Sequence, residues 1–162
     1  MLATTYVNSQ FGCFELKGTT LGLQSCRLVD VEKESSADLP EVIEEAARQL
    51  KEYFLGQRQV FDLKLDWSAA TDFNRSVWAE LVNIPYGHTT SYSAIAEKLN
   101  NPAAVRAVGL ANRNNPIGII VPCHRVIAKN GDLQGYFYGL DMKRALLELE
   151  NPRSFARQGT LF

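Results

Sequence analysis

The chain has 162 residues, 46% of them hydrophobic and 22% charged, a composition that supports one sizeable core or two small ones and excludes a disordered or fibrous protein. No window approaches the roughly 18 consecutive apolar residues of a membrane span, and the start MLATTYVNSQFG has neither the basic residues nor the apolar run of a leader, so the cytoplasm is the expected compartment. The net charge of −1 hides an asymmetry: residues 1–74 carry seven Lys/Arg against twelve Asp/Glu, whereas residues 75–162 carry ten against six.

Short β-prone runs from Thr5 to Asp30, punctuated by Gly12, Gly18 and Gly22, predict a small antiparallel set of strands. From Pro40 the apolar residues Val42, Ile43, Ala46, Ala47, Leu50 and Phe54 fall at helical spacing, with glutamates in the first turns and Gly56 just past the end. Gln59 to Asp66 alternates as a strand. Trp67 to Asp72 is polar, and the domain boundary is expected near Asp72, giving domains 1–72 and 73–162.

In the second half, Asn74 to Ile84 puts Val77, Trp78, Leu81 and Ile84 on one helical face and ends at the turn Pro85-Tyr86-Gly87. Ser91 is placed to cap a helix from Tyr92 to about Leu99, and Asn101 to cap another that Pro102 begins, with Val105, Val108 and Ala111 inward. Two short helices joined this way read as a helix-turn-helix or as an ordinary helical hairpin. Around Arg106 the small residues Ala103, Ala104, Ala107 and Gly109 leave the outer surface low, which lets such a helix approach DNA closely. No acid occurs between Glu97 and Asp132, while Lys98, Arg106, Arg113, Arg125 and Lys129 all do. After the break at Asn114 to Gly118, IIVPCHRVI reads as a buried strand that is interrupted at Pro122 and resumes. Asn130-Gly131-Asp132 and Gln134-Gly135 are turn signals, Tyr136 to Gly139 is an aromatic loop, and Leu140 to Glu150 is helical through Met142, Leu146, Leu147 and Leu149. The tail from Asn151 is expected to be peripheral.

The chemistry concentrates in Pro122-Cys123-His124-Arg125. A thiol attacks as thiolate and needs a base or positive charge to lower its pKa, and the base needs an orienting partner. Cys123 is the candidate nucleophile and His124 the candidate base, although neighbours in an extended strand face opposite ways, so contact requires an irregular backbone or a water. The orienting acid must come from elsewhere, with Glu150 one of six in the second half. A buried structural cysteine beside a core histidine remains the bland reading. Cys13, Cys26 and Cys123 are an odd number without a disulfide framework, and with only His88 and His124 beside them no metal-ligand spacing recurs, so no metal is expected.

The run Asn115-Pro116-Ile117-Gly118-Ile119-Ile120-Val121-Pro122-Cys123-His124-Arg125-Val126, preceded by Arg106-Ala107-Val108-Gly109 and IPYGHTTSY, resembles the O6-alkylguanine-DNA alkyltransferases, the methylated-DNA–protein-cysteine methyltransferases. The resemblance runs from about Asp72 to Glu150, extends to QLKEYFLGQR, and is loose over residues 1–38. It implies an α/β protein: an N-terminal ribonuclease H-like sheet plus helix, and a mainly helical, winged-helix-like C-terminal domain with a helix-turn-helix. It also implies a monomer without cofactor that binds double-stranded DNA containing alkylated bases. The implied reaction is stoichiometric transfer of an alkyl group from O6-alkylguanine, and O4-alkylthymine, to Cys123. On the same resemblance His124 takes the thiol proton through a water, Glu150 holds His124, and Tyr92 crowds the target phosphate and protonates the departing base. Arg106 fills the vacated stack, and Asn115 is a hinge between recognition helix and cysteine. Ala104 and Gly109 permit minor-groove entry, while Asn74, Ser93, Asn101, Arg125 and Lys129 are candidate backbone contacts. Pro122, Val126 and Tyr136 line the base pocket, and Tyr138, where some relatives carry a small residue, narrows its mouth. A damage-binding protein without transfer, a cysteine hydrolase and a sequence-specific regulator are the competing readings; the first replaces the cysteine by tryptophan in its known form, which Cys123 opposes.

Overall fold

A computed structural model describes residues 1–155 except Asp132 and Gln134, with Ser154 and Phe155 described for their backbone alone. The chain divides into two compact units, Met1–Ala69 with Pro116–Ile120, and Ala70–Asn115 with Val121 onward.

In the first unit, β1 (Ala3–Ser9), β2 (Gly12–Thr19) and β3 (Gly22–Val29) form an antiparallel meander in the order β1-β2-β3. Alternation decides its faces: Phe14, Leu16 and Gly18 point inward along β2, and Val7 and Leu23 join them from the flanking strands. Helix α1 (Glu41–Phe54) covers that face with Ile43, Ala46, Leu50, Tyr53 and Phe54. Gly18 allows the close approach, since a Cβ there would stand 2.6 Å from Ile43 Cδ1 and 2.5 Å from the Gly22 carbonyl.

The segment Gln59–Asp66 differs from the expected strand. It is extended but pairs only at Leu65, bridged to Leu23 in parallel. The buried Gln49 side chain explains why: it accepts from the Asp62 N–H at 2.9 Å and donates to the Asp62 carbonyl at 3.1 Å, taking the groups a ladder would have used. Pro116–Ile120 also belongs to this unit, with Cys26 N–H donating to the Pro116 carbonyl and Gly118 N–H to the Cys26 carbonyl, both at 2.9 Å.

The second unit is mainly helical. Helix α2 (Asp72–Val82) is capped by Thr71, whose hydroxyl accepts from Asn74 N–H, and α3 (Tyr92–Lys98) by Ser91, whose hydroxyl accepts from Ala94 N–H. Asn100, at φ 57°, turns the chain into a 3₁₀ turn Pro102–Ala104 that continues as α4 (Val105–Arg113). Asn101 makes no side-chain cap bond, because the 3₁₀ turn is closed instead by its carbonyl accepting from Ala104 N–H. Val105, expected inward, is exposed, since the 3₁₀ start rotates it off the Val108–Ala111 face. Strands β4 (Thr90–Ser91) and β5 (Val126–Ile127) pair in parallel. Helices α5 (Leu140–Glu150) and α6 (Pro152–Phe155) follow. The tail expected to be peripheral lies outside the described residues from residue 156, as do Asp132 and Gln134 of the expected turns. No helix among the described residues is long and apolar enough to cross a membrane.

Candidate active site

The stretch IIVPCHRVI is a strand only at its last two residues, where it resumes as β5. Ile119 sits at φ 68°, and Pro122, at φ −82° and ψ 66°, is the centre of an inverse γ-turn in which Cys123 N–H donates to the Val121 carbonyl at 2.8 Å. A 3₁₀ turn over Cys123–Arg125 follows before β5 begins. The irregularity that Pro122 signalled therefore lies at the cysteine, and Cys123 and His124 project from a turn rather than from opposite faces of a strand.

His124 is fully buried, and its Nε2 lies 2.7 Å from Glu150 Oε2. A carboxylate only accepts, so this contact puts the imidazole proton on Nε2 and leaves Nδ1 as a bare lone pair. That Nδ1 is buried with no hydrogen-bond partner among the described residues. Burial holds His124 below its usual pKa, the carboxylate opposing, so the ring is a neutral base at rest. Burial works against the Glu150 charge, but bonds from His124 and Arg125 outweigh it and keep the carboxyl well below its usual range.

Arg125 is what makes Glu150 a fixed anion. Its Nε donates to Oε1 at 2.8 Å, its Nη2 to Oε2 at 3.0 Å and its Nη1 to the Ile84 carbonyl at 2.7 Å, with the guanidinium 5.7 Å from the centre of the Tyr86 ring. The expectation that Arg125 meets DNA phosphate is thus corrected: it is 5% exposed and its donors are committed to the interior.

Burial raises the Cys123 thiol above its usual value, while the Asn115 amide and the Lys143 charge pull it down. Neither Lys143 nor Asn112 stands out in the sequence reading. Lys143 is fully buried and donates to the Val126 carbonyl at 2.6 Å, and burial lowers its pKa to about 8. Asn112 donates to the Cys123 carbonyl at 3.3 Å, and Asn115 donates to the Val121 carbonyl at 2.9 Å. The signal for both was positional. Lys143, Leu146, Leu147 and Glu150 occupy one helical face, as do Val108, Ala111 and Asn112, so a polar residue stands where an apolar one completes the pattern.

Around this frame, Tyr92 begins α3, its hydroxyl raised in pKa by burial and by the facing Cys123 charge. Gly109 of α4 and Gly135 adjoin it, a Cβ on either standing 3.9 Å from the Tyr92 ring and 4.0 Å from its hydroxyl respectively. Tyr136 is buried and packs edge-on against Tyr138, with ring centres 5.6 Å apart. Arg106, Asn101 and Lys129 are exposed, and Ala104, Ser93 and Asn74 half-buried. Among the described residues no cluster of His, Cys, Asp or Glu has the makeup of a metal site.

A helix-turn-helix whose second helix ends beside a buried thiol, itself next to a neutral histidine on a fixed carboxylate, is an arrangement suited to thiol chemistry on DNA. Comparison with known proteins gives the same class. The family model described as 6-O-methylguanine DNA methyltransferase, DNA binding domain, matches residues 72–152, and that described as its ribonuclease-like domain matches residues 2–67. A methylated-DNA–protein-cysteine methyltransferase of Methanosarcina acetivorans is 48% identical over 147 residues, spanning 88% of this chain and 94% of that protein. One of Mycobacterium tuberculosis is 45% identical over 152 residues, spanning 91% and 92%. The crystal structure of Mycobacterium tuberculosis O6-methylguanine methyltransferase superimposes with a TM-score of 0.82 at 44% identity over 94% of each chain. A structure of Mycobacterium tuberculosis OGT in complex with DNA gives 0.81 at 45% identity over 91% of this chain and 92% of that one. The chain belongs to the 6-O-methylguanine DNA methyltransferase family.

Proposed function

We propose that Cys123 is the alkyl acceptor in the direct-transfer DNA repair of this family. The observation that carries the reading is the 2.7 Å contact of His124 with Glu150, which leaves the other imidazole nitrogen free to accept a proton. His124 takes the thiol proton through a water, and the imidazolium is stabilised by Glu150, which Arg125 keeps ionised. The thiolate sulfur then forms a bond to the alkyl carbon of O6-alkylguanine, or of O4-alkylthymine, as the bond from that carbon to oxygen breaks. Tyr92 returns a proton to the base, which leaves neutral. The thioether has no good leaving group, so each molecule turns over once.

Reaching the lesion requires extruding it from the duplex, at a cost of a few kcal/mol that is least for a base whose pairing is already damaged. Arg106 enters the vacated stack through the minor groove, with Ala104 and Gly109 allowing the approach. Phosphate contacts from Asn74, Ser93, Asn101 and Lys129 hold the duplex without reading sequence, as damage at any position demands. Pro122, Val126 and Tyr136 line the base pocket, Asn115 is the hinge, and Tyr138 narrows the mouth. Accordingly, a benzyl adduct is transferred more slowly than a methyl adduct, and equal rates would remove Tyr138 from this role. The protein acts as a monomer in the cytoplasm without a cofactor, through the second domain, the first being structural.

Mass spectrometry after incubation with an O6-methylguanine duplex tests the reading. One methyl group retained on Cys123 supports it. An intact protein without methyl refutes it, and label released with turnover identifies a hydrolase instead.

A further inference from the structure

Asn112, in the last turn of α4, is 2% exposed. Its amide nitrogen reaches the Cys123 carbonyl, while its Oδ1 is buried with no hydrogen-bond partner among the described residues. A half-satisfied asparagine is a poor core residue, because an apolar side chain of the same shape removes both polar groups at little or no cost. Packing therefore does not explain Asn112, and its single bond must.

That bond has a companion. Asn115, just past the end of α4, holds the Val121 carbonyl, so an amide in the last turn of the helix and one beyond it grip the carbonyls on either side of Pro122. Between those carbonyls lies the inverse γ-turn, too short to flex independently of its anchors. The end of α4 is itself fixed, with Trp78 Nε1 of α2 donating to the Ala111 carbonyl at 2.8 Å. The opposite face of α4 is open, presenting Val105, Arg106 and Leu110 to solvent. One helix thus joins an exposed face bearing Arg106 to the backbone of the reactive cysteine. At 3.3 Å the Asn112 bond is beyond the usual N–H···O distance, leaving it room to shorten. Contacts of this kind tighten in the reactive complex.

We propose that Asn112 is a positioning residue that couples the seating of α4 on duplex DNA to the acceptor geometry of Cys123, an inference that rests on Cys123 being the alkyl acceptor. Duplex pressed against α4 moves the Asn112 amide onto the Cys123 carbonyl and sets the thiol's direction. A free nucleobase enters without engaging α4 and gains nothing from this bond.

The test is the ratio of two single-turnover rates, on a duplex carrying O6-methylguanine and on O6-methylguanine as the free base, in the full chain and in Asn112→Leu. Loss of one ordinary hydrogen bond from the seated complex corresponds to a fall of about tenfold in the duplex rate. The expected result is a ratio lower by about that factor, with a melting temperature equal to or above that of the parent. An unchanged ratio overturns the proposal, whether both rates fall together or neither falls. If Asn112→Leu does not fold, Asn112→Ala is assayed below its melting midpoint, and the same ratio decides. Absence of methyl on Cys123 in the parent chain instead removes the acceptor assignment itself, an outcome separate from either ratio.

Discussion

Lys143 carries a charge inside a core, and the direction of its pKa shift states the consequence. Its folded value of about 8 lies below the ordinary 10.5, so the protonated lysine costs the folded state about 3 kcal/mol at neutral pH, a cost that disappears only as pH rises through that window. Replacing it by methionine is therefore expected to leave the melting temperature at pH 7 unchanged or raised, despite the lost bond to Val126. The same change removes the positive charge that favours the Cys123 thiolate, so the thiol titrates higher. Iodoacetamide modification followed against pH reads this directly, and an unmoved midpoint would show that Lys143 does not influence the thiol. His124 and Glu150 act with the same sign at lower pH. Both titrate lower in the folded chain than their ordinary 6.5 and 4.5, so the unfolded chain takes up protons first and stability drains away on acidification. Urea midpoints should fall from near pH 6.5 downward and more steeply below 4.5, and a flat profile would contradict the buried pair. Cys123, His124 and Glu150 were legible as types of residue in a suggestive order. Lys143 and Asn112 were not, because a polar side chain at a core position reads as an interruption of the apolar pattern until its partner is visible.

At the level of elements, local chemistry wrote the helices plainly. Ser91 caps α3 as expected and Leu140–Glu150 has its expected bounds, while α2 starts two residues before the expected Asn74 because Thr71 caps it. The apolar run before Cys123 misled for a definite reason: β-branched residues mark burial as much as strand, and a proline among them here makes a γ-turn. Gln59–Asp66 misled because a side chain far along the chain, Gln49, holds its backbone. Helix α4 allows a prediction of its own. Arg106 is exposed, so Arg106→Ala should leave stability within about 0.5 kcal/mol. It should weaken transfer from duplex and reduce the salt dependence of binding by about one ion. A transfer rate and salt slope equal to the parent's would exclude Arg106 from the DNA contact.

At the level of the whole molecule, the charge asymmetry read from the sequence falls along the two units: acids gather in the first, and an acid-free stretch surrounds the cysteine in the second. Spent protein should differ from fresh. Cys123 is only 7% exposed, so a carbon added to its sulfur enters a buried region in which Asn115 and Asn112 hold the backbone on either side of Pro122. Overpacking of this kind costs typically 1–3 kcal/mol. Melting curves of the protein before and after methylation should show a lower midpoint for the latter, and identical midpoints would argue that the pocket absorbs the group without strain.

The order in which the ribosome delivers these parts has a consequence for the living cell. The thiol is made at residue 123, but the carboxylate in contact with the His124 ring arrives only at residue 150. Pro116–Ile120, which leads into it, must first find Cys26 of a strand made some ninety residues earlier. On the proposed mechanism, a chain cut short before α5 carries an ordinary cysteine rather than an armed one. Incomplete translation products, which already hold α3 and α4, are thereby kept from spending themselves.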